Sequence, residues 1–269
     1  SQNRYTAGRL LPSPDPHMTE HAYLLTSPAG LEDLVQEEVL QAAGEGEGAV
    51  SGHGAGRVRA NLSQTAACRL LLWSRVASRL YRVLLTGPVA DADELYQLVA
   101  GFPWEQWFRP GLTFAVQFDG DLRGVRNSMY GALRIKDALV DRCREQSGRR
   151  PSVDSDQPDL RIAAWVDKGE AVIAVDCQGG PLYQRHYRLR QGAAPLKENL
   201  AAAMLKRARW DLQRPLVDPF CGSGTIIIEA ALMAADIAPG LLRNEPALLE
   251  FPDAEPLLWQ QLVAEAQQR

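Results

Sequence analysis

The chain has 269 residues, 46% of them apolar and 23% charged, with a net charge of -4. That length accommodates roughly two domains at about 100–200 residues each, and the composition is that of an ordinary globular protein rather than a disordered one. No apolar run reaches the ~18 residues that cross a bilayer, and no charged-then-apolar leader opens the chain, so a cytoplasmic location is expected. Cys68, Cys143, Cys177 and Cys221 lie far apart with no C-x-x-C pair, and His17, His21, His53 and His186 are equally scattered. Such spacing argues against a zinc site and against a disulfide scaffold.

Residues 1–18 hold three prolines and no period. They read as a leader or disordered tail, outside fold reasoning. His21–Thr26 is a short strand candidate, and Gly30–Leu40 places Leu31, Leu34, Val35 and Val39 on one helical face. The glycine-rich stretch 44–56 reads as a loop or weak hairpin. A helix is expected from about Leu62 to Ala77, then a strand over Leu80–Leu85. Asp91 is placed to cap a helix running through Val99. Leu112–Phe118 alternates like a strand, and Asn127 to about Glu145 has helical spacing, with Met129 and Leu133 among its apolar positions. Leu160–Val166 and Ala171–Asp176 form a predicted hairpin about residues 167–170.

A polar, basic linker follows over residues 178–191. Pro195 then opens a predicted helix with Leu196, Leu200, Met204 and Leu205 as core contacts. Pro215–Val217 reads as a brief strand. It enters Asp218-Pro219-Phe220-Cys221-Gly222-Ser223-Gly224-Thr225 and the helix Ile226–Ala235. Pro256–Gln267 is the last predicted helix.

The net charge conceals local asymmetry. Residues 32–47 carry six acids and no Lys or Arg, whereas residues 122–150 and 185–214 are strongly basic. Basic stretches suit phosphate contacts even in an acidic protein; solvated helix faces are the plainer alternative.

The strand–DPFCGSGT–helix unit carries the chemistry. A strand entering a glycine turn and then a helix is how doubly wound folds meet nucleotides. Gly222 and Gly224 permit close backbone approach, and the helix beyond presents free N–H groups to an anion. The motif is neither a phosphate-binding P-loop nor a nucleophile elbow. It also lacks the third glycine of a dinucleotide fingerprint. An aspartate beside a glycine turn suits a ligand with both an ammonium and a carboxylate, such as S-adenosylmethionine.

DPFCGSGTIIIEAA resembles motif I of the class I methyltransferases that modify exocyclic amines, within them those bearing an N-terminal THUMP domain. The resemblance continues in SPAGLEDLVQEE (27–38), LLLWSRVASRL (70–80), VRNSMYGALRIKDALVD (125–141), RPSVDSDQPDLRI (150–162) and YRLRQGAAPLKENLAAAML (187–205). It is strongest toward bacterial large-subunit rRNA guanine-N2 methyltransferases. It implies an α+β architecture: a ferredoxin-like part over 19–61, a THUMP RNA-binding domain over 62–178 and a linker over 179–194. Residues 195–269 would then begin a Rossmann-like α/β methyltransferase domain.

The resemblance also implies roles. Pro195, Lys197 and Asn199, with Asp218, Pro219, Cys221, Gly222, Ser223, Gly224 and Thr225, would line the S-adenosyl-L-methionine pocket. Arg123, Arg126, Asn127, Lys136, Arg149, Arg150, Arg185, Arg188 and Arg190 would meet 23S rRNA. Glu229 reads as structural. Trp73, Trp104 and Trp107 read as core before base-stacking platforms. The family's amine-holding N-P-P-Y or D-P-P-Y segment is absent from these residues, as is a recognisable acid for the cofactor ribose. The chain therefore reads as a front fragment that binds RNA without turnover. A tRNA methyltransferase of the same architecture and a non-catalytic RNA-binding adaptor remain open.

Overall fold

The computed structural model describes residues 20–44, 50–188 and 195–269. The expected leader (1–18) and Arg190 lie outside these residues. In chain order the elements are β1 (His21–Thr26), α1 (Glu32–Ala43), β2 (Val50–Gly54), β3 (Arg57–Leu62), α2 (Gln64–Trp73), β4 (Arg79–Pro88), α3 (Ala92–Ala100), β5 (Thr113–Gly120), α4 (Ser128–Ser147), β6 (Ser152–Val153), β7 (Leu160–Asp167), β8 (Glu170–Asp176), α5 (Glu198–Arg207), α6 (Thr225–Ala234) and α7 (Pro256–Gln267). Strands and helices mix as an α+β chain. No helix among the described residues is long and apolar enough to cross a membrane.

Two compact units divide the described residues. The first takes residues up to 81, 180–249 and 255–269; the second takes 82–179 and 250–254. In the first, the strand order is β2-β3-β1, and β3 pairs antiparallel with both neighbours. The β2–β3 turn places Ala55 and Gly56 at φ 48° and 76°, the paired left-handed geometry that matches strand twist in a tight hairpin. A Cβ on Gly56 would stand 2.5 Å from the Ser27 carbonyl oxygen, so glycine is required there. Of the two readings of residues 44–56, loop or weak hairpin, the hairpin is the one formed. R-V-R-A-N-L alternates with Val58, Ala60 and Leu62 buried, a period-2 signal available in the sequence.

Because Leu62 ends β3, the helix expected from Leu62 begins later. Ser63 caps α2 by accepting from the Ala66 N–H at 3.2 Å. The helix stops at Trp73 rather than Ala77. Beyond it, the N–H groups of Arg75 and Val76 donate to the Glu38 carboxylate of α1 at 3.1 and 3.2 Å, and Ser74 Oγ donates at 2.7 Å. A buried carboxylate has replaced the helical carbonyls as acceptor, and the chain turns around it.

In the second unit the order is β4-β8-β7-β5-β6, with β4 beginning in the first unit. The β7–β8 hairpin turns through Lys168 and Gly169 at φ 50° and 78°, as its sequence signal indicated. β5 and β7 run parallel and therefore need a crossover, which α4 supplies. Asp91 caps α3 as expected, accepting from Asp93 N and Glu94 N. Trp104 and Trp107 are buried beside Phe102, as core rather than stacking platforms.

Two expectations fail in the C-terminal third. Pro215–Val217 forms no strand; among the described residues no neighbouring strand offers it a ladder, and Val217 is exposed. In α5 the inward face comprises Ala201, Ala202, Ala203 and Leu205. Met204, expected inside, is exposed, whereas Leu205 is buried as expected; small alanines make up the rest of that face.

Candidate functional site

The loop 218–225 lies in the first unit. Asp218 accepts from the Phe220 N–H at 3.1 Å, which folds the loop entrance into an Asx turn. Gly222 and Gly224 adopt φ 53° and 75°, values that L side chains resist. The Gly224 N–H donates to the Cys221 carbonyl at 2.7 Å and closes the turn. Gly224 then stands at the N-cap of α6, where no side chain accepts from the helix's first N–H groups. Those donors, with the positive end of the helix dipole, remain available to an anionic group. No heavy atom lies within 4 Å of a Cβ built on Gly222, so open space adjoins the turn. Pro219, Cys221 and Ser223 are exposed, and Ser223 Oγ lies 3.2 Å from Thr225 Oγ1. The cradle fits a carboxylate-bearing ligand such as the methionine end of S-adenosylmethionine.

Arg188 ties the upstream segment to this loop. Its guanidinium pairs with Glu198 at 2.9 Å, donates to the Leu196 carbonyl and reaches Thr225 Oγ1 at 3.2 Å. Expected to meet RNA, Arg188 is mostly buried and joins the start of α5 to the start of α6. Pro195 and Lys197 are exposed, the latter with Nζ 5.1 Å from the centre of the Tyr183 ring. Asn199 is fully buried, and its amide donates to the Val76 carbonyl and Ser78 Oγ at 3.2 and 3.1 Å. Its amide is thus committed to an interior tie rather than to the open loop.

A second feature, without any local signal in the sequence, is a buried ionic cluster behind α6. Glu229 and Arg185 are both fully buried, with Arg185 Nε 3.4 Å from Glu229 Oε1. Tyr187 donates to the same oxygen at 3.2 Å. Arg75 donates to the Leu232 and Ile237 carbonyls at the C-terminal end of α6, at 3.3 and 2.7 Å, where the helix dipole favours a cation. Arg243 donates to the Leu182 and Leu71 carbonyls, and Arg185 to the Leu182 and Arg75 carbonyls. Burial pushes the Glu229 carboxyl above the usual range, against the pull of Arg185 and Arg75. Burial also lowers Arg243, to about 9. Arg185, expected on an RNA-facing surface, is therefore an interior residue. Glu229 is structural, as its helical position suggested.

In the second unit, α4 organises the remaining basic residues. Asn127 caps the helix, its Oδ1 accepting from Tyr130 N at 2.8 Å. Arg126 is exposed beside it, and Arg123 pairs with Asp91 at 2.9 Å while staying 78% exposed. Met129 and Leu133, expected to pack, face solvent, as does Tyr130. Lys136 is half-buried and pairs with Asp137. Arg149 and Arg150 follow the left-handed Gly148 cap at the other end and line a cavity of about 220 Å³ with Arg109 and Ser147. A twenty-residue helix is about 30 Å long, so Arg123 and Arg126 stand at one end of α4 and Arg149 and Arg150 at the other, with Lys136 between them.

The thiols supply a direct check on the loop. Cys68, Cys143 and Cys177 are buried and Cys221 is exposed. Burial pushes Cys68 up to about 12 and Cys143 to about 11, suppressing the reactive thiolate. Native protein at pH 8 should show one fast thiol toward a disulfide reagent, and Cys221→Ser should remove it. Two or more fast thiols in the native state would contradict this burial pattern.

Comparison with known proteins places these features. Residues 22–81 match the RlmL ferredoxin-like domain, 89–176 the THUMP domain and 185–268 the RMKL-like methyltransferase domain. The chain is 48% identical over 249 residues to the ribosomal RNA large subunit methyltransferase K/L of Pseudomonas aeruginosa, covering 91% of this chain and 34% of that protein. It is 46% identical over 257 residues to that of Stutzerimonas stutzeri, covering 93% and 34%. The chain thus spans about a third of the length of these curated relatives. Among solved structures, a predicted N6-adenine-specific DNA methylase of Listeria monocytogenes matches with a TM-score of 0.81 and 30% identity over 94% of this chain and 65% of that one. SMU.472 in complex with SAH matches with a TM-score of 0.81 and 29% identity over 93% and 65%. The chain thus carries, in this order, matches to a ferredoxin-like domain, a THUMP domain and an RMKL-like methyltransferase domain.

Proposed function

We propose that this chain is the RNA-gripping and cofactor-loop portion of an S-adenosylmethionine-dependent methyltransferase of large-subunit ribosomal RNA, acting on a guanine N2 amine in 23S rRNA. The observation that carries the reading is the open glycine turn feeding an uncapped α6, in a chain whose domain order matches the K/L methyltransferases. When bound, S-adenosylmethionine supplies an electrophilic methyl group on its sulfonium. The Gly222–Gly224 turn and the first N–H groups of α6 would receive its carboxylate, and Asp218 its ammonium. Arg188 holds Leu196 and Thr225 on one guanidinium and so fixes the edges of that cradle.

On the RNA side, Arg126 and Arg123 offer phosphate contacts at one end of α4, and Arg149 and Arg150 at the other. Arginine positions RNA through phosphates without reading its sequence. Tyr130 adds an exposed ring on which an unpaired base would stack. The amine-holding segment is not among these residues, so this chain alone binds RNA without methyl transfer.

Binding to large-subunit rRNA fragments should weaken steeply with salt, with a slope of about -0.7 per phosphate contact for single strands. Arg126→Ala with Arg149→Ala should flatten that slope by one to two contacts and lower affinity about tenfold at 100 mM salt. Binding that ignores salt or both substitutions would refute the α4 interface. A preference for tRNA over the rRNA fragments would refute the substrate. Turnover by the purified chain on deproteinised rRNA would refute the division of labour.

A further inference from the structure

A cavity of about 610 Å³ opens in the first unit, and none of the glycine-loop residues line it. Its walls include the half-buried Trp73, the apolar Leu70, Met233 and Leu262, and the cations Arg69, Arg75 and Lys206. Arg269 also lines it, its guanidinium 4.9 Å from the centre of the Trp73 ring. Two of its carboxylates are engaged: Glu38 with Lys206 at 2.9 Å and Asp236 with Arg269 at 3.3 Å. Glu265 also lines the cavity, and Arg69 Nη1 donates to the Ala42 carbonyl at 3.3 Å.

The imbalance deepens behind the wall. Arg75 is only 7% exposed, and its Nη1 has no hydrogen-bond partner. Arg185 and Arg243 stand behind it with Glu229 as their carboxylate. Cavity and backing together hold six cations (Arg69, Arg75, Arg185, Lys206, Arg243, Arg269) against four carboxylates (Glu38, Glu229, Asp236, Glu265). Arg75, Arg185 and Arg243 are the buried cations of this group, Arg69 and Arg269 being exposed, and a buried cation is costly unless an anion compensates it. The volume lies in the range of small-molecule sites, and an indole face that accepts a guanidinium also accepts a base.

We infer that this cavity binds a nucleoside 5′-phosphate, its base against Trp73 and its phosphate on Arg69 in the field of Arg75. The source is a free nucleotide or the 5′-terminal nucleotide of an RNA strand. The site is separate from the α4 surface and independent of the methyl-transfer reading.

Calorimetric titration with adenosine 5′-monophosphate and with inorganic phosphate tests it. The nucleotide should bind more tightly than phosphate. Arg69→Ala, at an exposed position, should weaken nucleotide binding about tenfold, the worth of one charged hydrogen bond. Trp73→Leu should erase the preference of nucleotide over phosphate. A 5′-phosphorylated oligoribonucleotide and its 5′-hydroxyl twin then separate the sources. A phosphate-dependent gain lost in Arg69→Ala assigns the site to RNA ends; nucleotide binding without that gain assigns it to free nucleotide. No nucleotide binding at millimolar concentration, or binding that Arg69→Ala leaves unchanged, overturns the proposal. Thermal melts of both variants verify that they fold.

Discussion

Glu229→Ala should lower stability by about 3–5 kcal/mol, because removing one partner strands buried opposite charges. Arg185, Arg75 and Arg243 would lose their shared carboxylate, and the Tyr187 hydroxyl its acceptor. At about 2–4 °C per kcal/mol for a chain of this size, the melting midpoint should fall by roughly 10 °C. Glu229→Gln keeps the volume and an acceptor and should cost less. The pH dependence of that smaller difference carries a sign. Burial raises the folded-state pKa of Glu229. Its contribution is therefore fully present below the unfolded value and is lost as pH rises through the raised one. The gap between wild type and Glu229→Gln should narrow from pH 4 to pH 8. A widening gap would mean that the arginines outweigh burial.

Gly240→Ala should be the second large loss. Gly240 belongs to a short turn over Pro239–Leu242 and is buried against α2. An added Cβ would stand 2.5 Å from Leu72 Cα and 2.6 Å from the Leu71 carbonyl oxygen. Both are backbone atoms, so no rotamer change relieves the clash and the turn must lift off α2. Overpacking of this kind costs about 1–3 kcal/mol and sometimes more. Here it would also pull Arg243, three residues on, away from the Leu71 and Leu182 carbonyls. The loss should therefore exceed about 3 kcal/mol. Chemical denaturation of the variant checks it; a loss under 1 kcal/mol would show that the turn can shift freely.

What the sequence disclosed follows the physics of local signals. Asp91 and the 167–170 turn announced themselves because caps and tight turns depend on residues within three positions. The glycine loop was legible for the same reason. The β3 strand was missed although its alternation was present, since the glycine-rich residues before it dominated the reading. Arg185 and Arg188 were misjudged because a basic run has the same composition whether it faces solvent or a buried carboxylate. Their partners, Glu229 and Glu198, stand 44 and 10 residues away, beyond any local window. Met129 and Leu133 erred the other way: apolar spacing foretold burial, but the first turns of α4 project into solvent.

The first unit is assembled from separated stretches of chain, and this orders its biosynthesis. Residues up to 81 leave the ribosome about 100 residues ahead of the segment starting at 180. At about 5–20 residues per second, α1, α2 and the hairpin wait on the order of 5–20 s for Arg185 and roughly 8–32 s for Arg243. Through that interval the flank of α2 that later receives Gly240 is uncovered, and the Leu71 carbonyl lacks its guanidinium. A nascent-chain arrest series should therefore show protease protection of residues 20–81 arriving late, only after Arg243 has cleared the exit tunnel.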